Sequence, residues 1–265
     1  MLVIGERING MFTDVGQAIV SKDAAVIRDL AEKQVAAGAR VLDCNTGAAA
    51  EDRVAAMQWL CQTIREVTDM PIAVDTMNRD VLKAGLDVAG PTAFINSTKG
   101  SADMLDNRMA MAAEYGCKIV ALTMDEKGVP RDADGRMEVV AKIVESAMMN
   151  GVDFTDLYID PIIIPANVPD AGHYPTEVLK TIEMIKQFGD PAPRTTLGLS
   201  NVSQGTSERS LINRTYVVMA VAAGLDSAIM DPLDTELMDA MITTELLLNR
   251  MIYCDDFLRA YRMSM

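Results

Sequence analysis

The chain has 265 residues, 49% of them hydrophobic, and a formal net charge of −14. That length suits one large α/β domain spanning residues 1–265, and the apolar fraction can fill a sizeable core. The acidity argues against nucleic acid, whose phosphates must be met by Lys and Arg, and leaves proteins and small molecules as partners.

Short apolar runs alternate with amphipathic segments along the chain. Val3-Ile4 reads as a strand, followed by a helical pattern after Asp23. Val41-Leu42 leads into Asp43 and a helix from Asp52 to Val67. Ile72-Ala73-Val74 ends at Asp75, with a helix through Val81, Leu82 and Leu86. Phe94-Ile95 ends at Asn96, ahead of a helix from Met104 to Tyr115. Ile119 to Leu122 ends at Thr123, then a charged loop and a helix from Arg136 to Met149. Leu157-Tyr158-Ile159 ends at Asp160, and Pro175 opens the next helix. Thr195 to Leu197 leads to Gly198-Leu199-Ser200-Asn201-Val202-Ser203-Gln204, with a helix from Leu211 to Ala222. Ala228-Ile229-Met230 ends at Asp231, and helices fill the rest.

About eight βα units in series, without a linker, predict a closed (β/α)8 TIM barrel of parallel strands. No G-x-G-x-x-G follows the first strand, which counts against an open dinucleotide-binding sheet. The longest irregular pieces, Asp125 to Gly135 and Pro161 to Tyr174, both follow strands and so fall on the face where barrels keep their sites. Asp132 and Asp134 resemble a fragment of a calcium loop, but a third ligand and a closing Glu are missing, so they read as solvated loop acids.

Cys44, Cys61, Cys117 and Cys254 show no C-x-x-C spacing and read as reduced, mostly packed thiols of a cytoplasmic protein. Met1 to Arg7 has no basic stretch leading into a long apolar one, so no secretory signal is expected. No apolar run approaches the ~18 residues of a membrane span. The 20 methionines fall mostly at helical spacing and read as core filler.

The residues that close the apolar runs form a set: Glu6, Asp43 with Asn45, Asp75, Asn96, Thr123, Asp160, Asn201 and Asp231. Any one of them reads equally well as a helix cap or turn former, Asp160-Pro161 especially. Helix capping does not require carboxylates at the immediate strand ends, so the set points to a pocket. A ring of carboxylates and amides suits a ligand rich in N–H donors, and a reduced pterin presents such donors in pairs. Phosphate would be repelled and finds no glycine-rich cradle. No metal is expected, because the sole histidine, His173, lies in a loop and reads as surface. One loop histidine also assembles no Ser–His–acid triad.

Several blocks, taken together, resemble the pterin-binding methyltransferases of the methyltetrahydrofolate:corrinoid protein class. They are Gly5-Glu6-Arg7-Ile8-Asn9-Gly10, Leu42-Asp43-Cys44-Asn45, Val74-Asp75, Ile95-Asn96-Ser97-Thr98, Asp160-Pro161 with Pro165-Ala166-Asn167-Val168, and Gly198 to Gln204. The likeness runs the length of the chain and extends to the acetogenic enzyme that methylates a corrinoid/iron–sulfur protein. It also extends to the methyltransferase components of corrinoid-dependent demethylase systems. The resemblance implies a folate-binding barrel, usually a homodimer, that moves a methyl group between N5 of tetrahydrofolate (5-methyltetrahydrofolate when loaded) and the cobalt of a corrinoid (cobalamin) carried by a partner protein. By that resemblance Asp75, Asn96 and Asp160 hold the pterin, Gly198, Ser200 and Gln204 line it, and Asn201 reaches N5. Arg209 would face the benzoate–glutamate side, with Glu6, Asp43 and Asn45 as further pocket residues.

The chemistry of Asn201 agrees with that assignment. A carboxamide can donate to N5 as the methyl leaves, or accept from N5–H once turned over, and so serves both directions. No residue ligates cobalt, and the chain is too short to add a cobalamin domain, so the corrinoid would arrive on its partner. Two rivals remain. Dihydropteroate synthase shares this barrel but carries basic residues for a diphosphate leaving group near its last strands. A non-catalytic folate-binding protein would hold the ligand without transferring the methyl group.

Overall fold

The computed structural model describes residues 1–48, 50–169, 174–255 and 257–264. Its strands are β1 (Leu2–Asn9), β2 (Val41–Asn45), β3 (Ile72–Asp75), β4 (Phe94–Lys99), β5 (Lys118–Leu122), β6 (Leu157–Asp160), β7 (Arg194–Thr195) and β8 (Ser227–Met230). Each pairs in parallel with its neighbour in one 8-stranded sheet running from β7 down to β1 and then β8. The helices are α1 (Thr13–Ser21), α2 (Ala24–Ala36), α3 (Arg53–Arg65), α4 (Arg79–Ala89) and α5 (Leu105–Tyr115). They continue with α6 (Ala133–Asn150), α7 (Tyr174–Ile185), α8 (Arg209–Ala222), α9 (Thr235–Leu247) and α10 (Phe257–Ser264). This is the expected TIM barrel, nearly closed, with its helices outside. None of the described helices is long and apolar enough to cross a membrane.

The seam between β7 and β8 is held differently from the other strand pairs. A single bridge joins Gly198 to Ile229, and the Ile229 N–H donates to the Leu197 carbonyl at 2.8 Å. Side chains reinforce it below. The Asp226 carboxylate accepts from the Thr195 N–H at 2.6 Å and hydroxyl at 3.0 Å, and from Lys186. The Ser227 hydroxyl donates to the Thr195 carbonyl.

Strand alternation explains where the polar residues go, because every second side chain faces the barrel axis. Ile4, Val41, Ala73, Phe94, Val120 and Tyr158 fill the interior as one buried cluster, with the Phe94 and Tyr158 rings 5.1 Å apart. Two residues further along the same strands stand Glu6, Asp43, Asp75, Asn96, Leu122 and Asp160. The apolar plug is therefore topped by a polar layer at the C-terminal ends of the strands. Outward-facing Leu42, Cys44, Val74, Ile95, Ile119 and Ile159 pack against the helices in a separate core. Gly85 brings α4 onto β3, since a Cβ there would stand 2.6 Å from a methyl of Val74.

Several boundaries differ from the sequence expectation. Residues 13–21 form a helix of their own, α1, ahead of the one starting after Asp23. Asn96 does not end its strand; β4 runs on to Lys99 across a slip in the ladder between Asn96 and Thr98. Helix α6 begins at Ala133, not Arg136, because the Asp132 carboxylate caps it by accepting from the Gly135 N–H at 2.8 Å. Helix α8 begins at Arg209, not Leu211, and β7 covers only Arg194–Thr195.

Candidate functional site

An open cavity of about 430 Å³ sits on the polar layer, at the end of the barrel where the βα loops gather. Glu6, Asp43, Asp75, Asn96, Gly198, Ser200, Asn201 and Arg209 all line it. They come from β1 to β4 and from the segment after β7, so residues far apart in sequence converge on one space.

The carboxylates are tied down by neutral donors. The Asn96 amide donates to Asp43 at 2.9 Å, and the Asn45 amide donates to Asp75 at 2.8 Å. Asn45 also accepts from the Gly47 N–H at 2.7 Å. That contact needs two glycines: Gly47 has a φ of +67°, and a Cβ on Gly10 would meet the Thr46 carbonyl at 2.4 Å. Asn45 does not line the cavity and so acts from behind, orienting Asp75. The Ser200 hydroxyl lies between the Glu6 oxygens at 2.7 and 2.9 Å.

Burial raises the proton affinity of every one of these acids, because desolvation penalises the charged form. Glu6 is pushed up to about 7 by burial, with Asp231 adding repulsion while Ser200, Arg209 and Arg7 oppose it. Asp43 is raised well above the ordinary carboxylate range by burial and by the facing Asp75, against the Asn96 amide. Asp75 is raised by burial, against Asn45. Asp160 is raised to about 6 by burial, against the backbone N–H groups of Ile162 and Gly198 and the Arg136 guanidinium.

Residues 199–203 wind into a short 3-10 helix at the cavity wall. Its first bond, from the Asn201 N–H to the Gly198 carbonyl at 3.1 Å, turns the Asn201 amide back over Gly198. A Cβ on Gly198 would lie 2.7 Å from that amide nitrogen, so the glycine leaves Asn201 its room. Arg209 bonds the Ser203 hydroxyl at 3.2 Å and the Ser200 carbonyl at 3.3 Å, which fixes its cation at the rim.

The remaining expected site residues lie elsewhere. Asp160 is buried beside Gly198 rather than on the cavity wall, and its carboxylate accepts from the Ile162 N–H at 2.7 Å. Gln204 is exposed and does not line the cavity. Thr123 is fully buried and also off the wall. His173 lies outside the described residues. Among the described residues no group of three or more His, Cys, Asp or Glu is arranged to hold a metal ion.

Other lining residues escaped the sequence reading. Arg7 lines the cavity next to Glu6 because the β1 ladder slips between Gly5 and Ile8, and such a slip re-aims a side chain that strict alternation would send outward. Its guanidinium stacks over the Phe12 ring at 4.1 Å and meets Asp14 at 3.3 Å. Asn213 and Asp234 also line it, while Asp231, one of the strand-end acids read from the sequence, lines it close enough to Glu6 to raise its proton affinity.

The sequence profile described as "Pterin binding enzyme" matches residues 10–231. The methylcorrinoid:tetrahydrofolate methyltransferase of Eubacterium limosum is 30% identical over 264 residues, covering 99% of this chain and 96% of that protein. The methionine synthase of Mycobacterium tuberculosis is 32% identical over 240 residues, covering 86% of this chain but 20% of the synthase. Among solved structures, the Coxiella burnetii dihydropteroate synthase in complex with pteroic acid superposes with a TM-score of 0.67 at 15% identity, covering 93% of this chain and 92% of that one. The Yersinia pestis dihydropteroate synthase with a pterin–sulfa conjugate gives a TM-score of 0.63 at 15% identity, with 94% of each chain covered, so these two speak for the fold. The chain belongs to the pterin-binding enzyme family, with a full-length methyltransferase among its relatives.

Proposed function

We propose that the protein transfers a methyl group between N5 of tetrahydrofolate and a corrinoid carried by a partner protein. The observation that supports this most is one cavity in which hydrogen-bonded acids and amides from β1 to β4 face the Asn201 carboxamide. Asp75 and Asp160 accept from the exocyclic amine and ring N–H groups of the pterin, while Asn96, held to Asp43, presents its amide oxygen. Arg209 meets the carboxylates of the folate tail. Asn45 positions Asp75.

The corrinoid supplies the cobalt that takes or gives the methyl group. The residues fit a corrinoid arriving from outside: the cavity is open, and its wall is acidic and amidic, with no histidine or thiol aimed into it among the described residues. When the C–N bond at N5 breaks, its electron pair stays on nitrogen and a proton must follow. Asn201 donates to N5 as that pair develops, and in reverse accepts from N5–H. Glu6, pushed up to about 7, holds a proton near neutrality and touches the same segment through Ser200. It serves as the proton store for N5.

The test is a visible-spectrum assay with free cob(I)alamin and methyltetrahydrofolate, then with methylcobalamin and tetrahydrofolate. Methyl transfer in both directions is expected. Folate binding without transfer in either direction would leave a folate-binding protein instead, and condensation of a pterin diphosphate with p-aminobenzoate would favour a synthase. Assembly as a homodimer is part of the proposal. The exposed apolar side chains Leu211, Val218 and Met219 on α8 offer the face for it. A monomeric mass by light scattering would remove that part.

A further inference from the structure

The ladder between β1 and β2 advances from the pair Gly5 and Leu42 to the pair Ile8 and Cys44, three steps on β1 against two on β2. The extra residue on β1 is a bulge, which interrupts the backbone pairing around it. A side chain from α2 takes over there: the Gln34 amide oxygen accepts from the Arg7 N–H at 3.0 Å. Gln34 is fully buried, and a Cβ at position 5 would stand 2.4 Å from the same oxygen, so Gly5 is what admits it. The Gln34 amide nitrogen has no hydrogen-bond partner among the described residues. A buried unpaired donor costs about 1–3 kcal/mol, which a hydrocarbon at position 34 would avoid. What the arrangement delivers is two consecutive side chains, Glu6 and Arg7, on the wall of one cavity.

Arg7 and Arg209 are the only cationic side chains lining that cavity among the described residues. They flank one contact. Arg7 follows Glu6, whose carboxylate accepts from the Ser200 hydroxyl, and Arg209 donates to the Ser200 carbonyl. The Arg7 guanidinium rests over the ring of Phe12, itself on the cavity wall, at 4.1 Å. Its ion pair with Asp14 is 3.3 Å long and the carboxylate is 54% exposed, so the pair is weak and leaves the cation open to another anion. We propose that Arg7 binds the anionic tail of the ligand: with Arg209 it takes the two carboxylates of the folate's glutamate, and Gln34 is the positioning residue that brings Arg7 to the cavity wall. This rests on the folate reading above. A guanidinium forks onto one carboxylate at a time, so two carboxylates call for two arginines, whereas the pterin ring calls for neither.

The experiment measures three affinities by calorimetry: tetrahydrofolate, tetrahydropteroate, which lacks the glutamate, and 6-methyltetrahydropterin, which lacks the whole tail. The full-length wild type is compared with Arg7→Met, Arg7→Lys and Gln34→Met. Arg7→Met should weaken tetrahydrofolate binding roughly tenfold, the low end for a lost hydrogen bond to a charged group, and leave 6-methyltetrahydropterin unchanged. Arg7→Lys should recover part of that loss, since it keeps the charge without the fork. Gln34→Met strands the Arg7 N–H but removes the unpaired amide nitrogen, so it should fold and show a smaller loss, again confined to tetrahydrofolate. Equal losses for the tailed and tail-less ligands in Arg7→Met would make Arg7 a part of the scaffold and overturn the assignment. So would no loss for either.

Should Arg7→Met not fold, the wild type decides by itself. Tetrahydrofolate should bind about tenfold more tightly than tetrahydropteroate, with the advantage shrinking as salt is added, and equal affinities would overturn the role of the second cation. Failure of all three ligands to bind the wild type would sink the folate reading and this inference with it. Loss of the difference between them alone strikes only the inference.

Discussion

Glu6, Asp43 and Asp75, on the arc of the mouth built by β1 to β3, crowd one another. Asp160, across the barrel on β6, has no other carboxylate acting on it among the described residues. The first arc answers its charge with neutral side chains: Ser200 on Glu6, Asn96 on Asp43, Asn45 on Asp75. The second uses backbone N–H groups and a buried arginine. Hydroxyls and amides weaken a carboxylate's proton affinity without cancelling like-charge repulsion, so the first arc retains protons. A cation and fixed dipoles favour negative charge. The two arcs therefore hold the same residue type by different means, neutral side chains on one and backbone N–H groups with a distant cation on the other.

The largest expected effect removes an acceptor. Asp75→Asn should weaken tetrahydrofolate binding roughly 10–100-fold, the value of a charge-assisted hydrogen bond, and calorimetry giving wild-type affinity would break the clamp. Next, Asn201→Ala should lower turnover by ~10-fold or more, at the low end of lost transition-state donors, with folate affinity little changed. Unchanged turnover at saturating folate would remove Asn201 from its role.

Glu6→Gln sharpens the contrast by pH. With its folded pKa about 7 against 4.5 unperturbed, Glu6 weakens no folding below 4.5 and destabilises progressively as pH rises through 7. The variant should match the wild type near pH 4.5 and exceed its stability at pH 8, by at most ~3 kcal/mol from the size of that shift. Urea unfolding at the two pH values reads this directly, and equal stability at both would deny the raised proton affinity. The variant should also flatten the decline of methyl transfer from methyltetrahydrofolate above pH 7.

The smallest effect expected is that of Gly198→Ala. Its φ of −72° accepts alanine, and the new Cβ meets only the Asn201 amide. Thermal stability should change by less than about 1 kcal/mol, while turnover falls a few-fold because the amide is displaced. Loss of folding instead would place the glycine in the scaffold.

Much of the barrel was legible in the chain. Each strand carries its own two-residue alternation, and parallel strands bring all their C-terminal ends to one face. Plug residues such as Phe94 and polar residues such as Asp43 and Asp75 could therefore be sorted by local pattern alone. Helix α1 was not legible: it is 9 residues long, holds Gly16 and has no side-chain cap, and it is formed by packing Gly16 against the Gly10 carbonyl. Arg7 was hidden because a slip in the β1 ladder depends on what β2 does beside it. Arg136 looked like an ordinary helical residue, since nothing near it in sequence announces that α7 and α8 will bury it.

The sequence by itself determined which side chains would stand at the strand ends, because that follows from neighbours two residues apart. Only the tertiary structure decided which of them carry a proton. Glu6 and Ser200 are 194 residues apart in the chain yet share a hydrogen bond. Proton affinity is a sum over such neighbours and over the water they exclude, and none of those distances exists until the barrel closes.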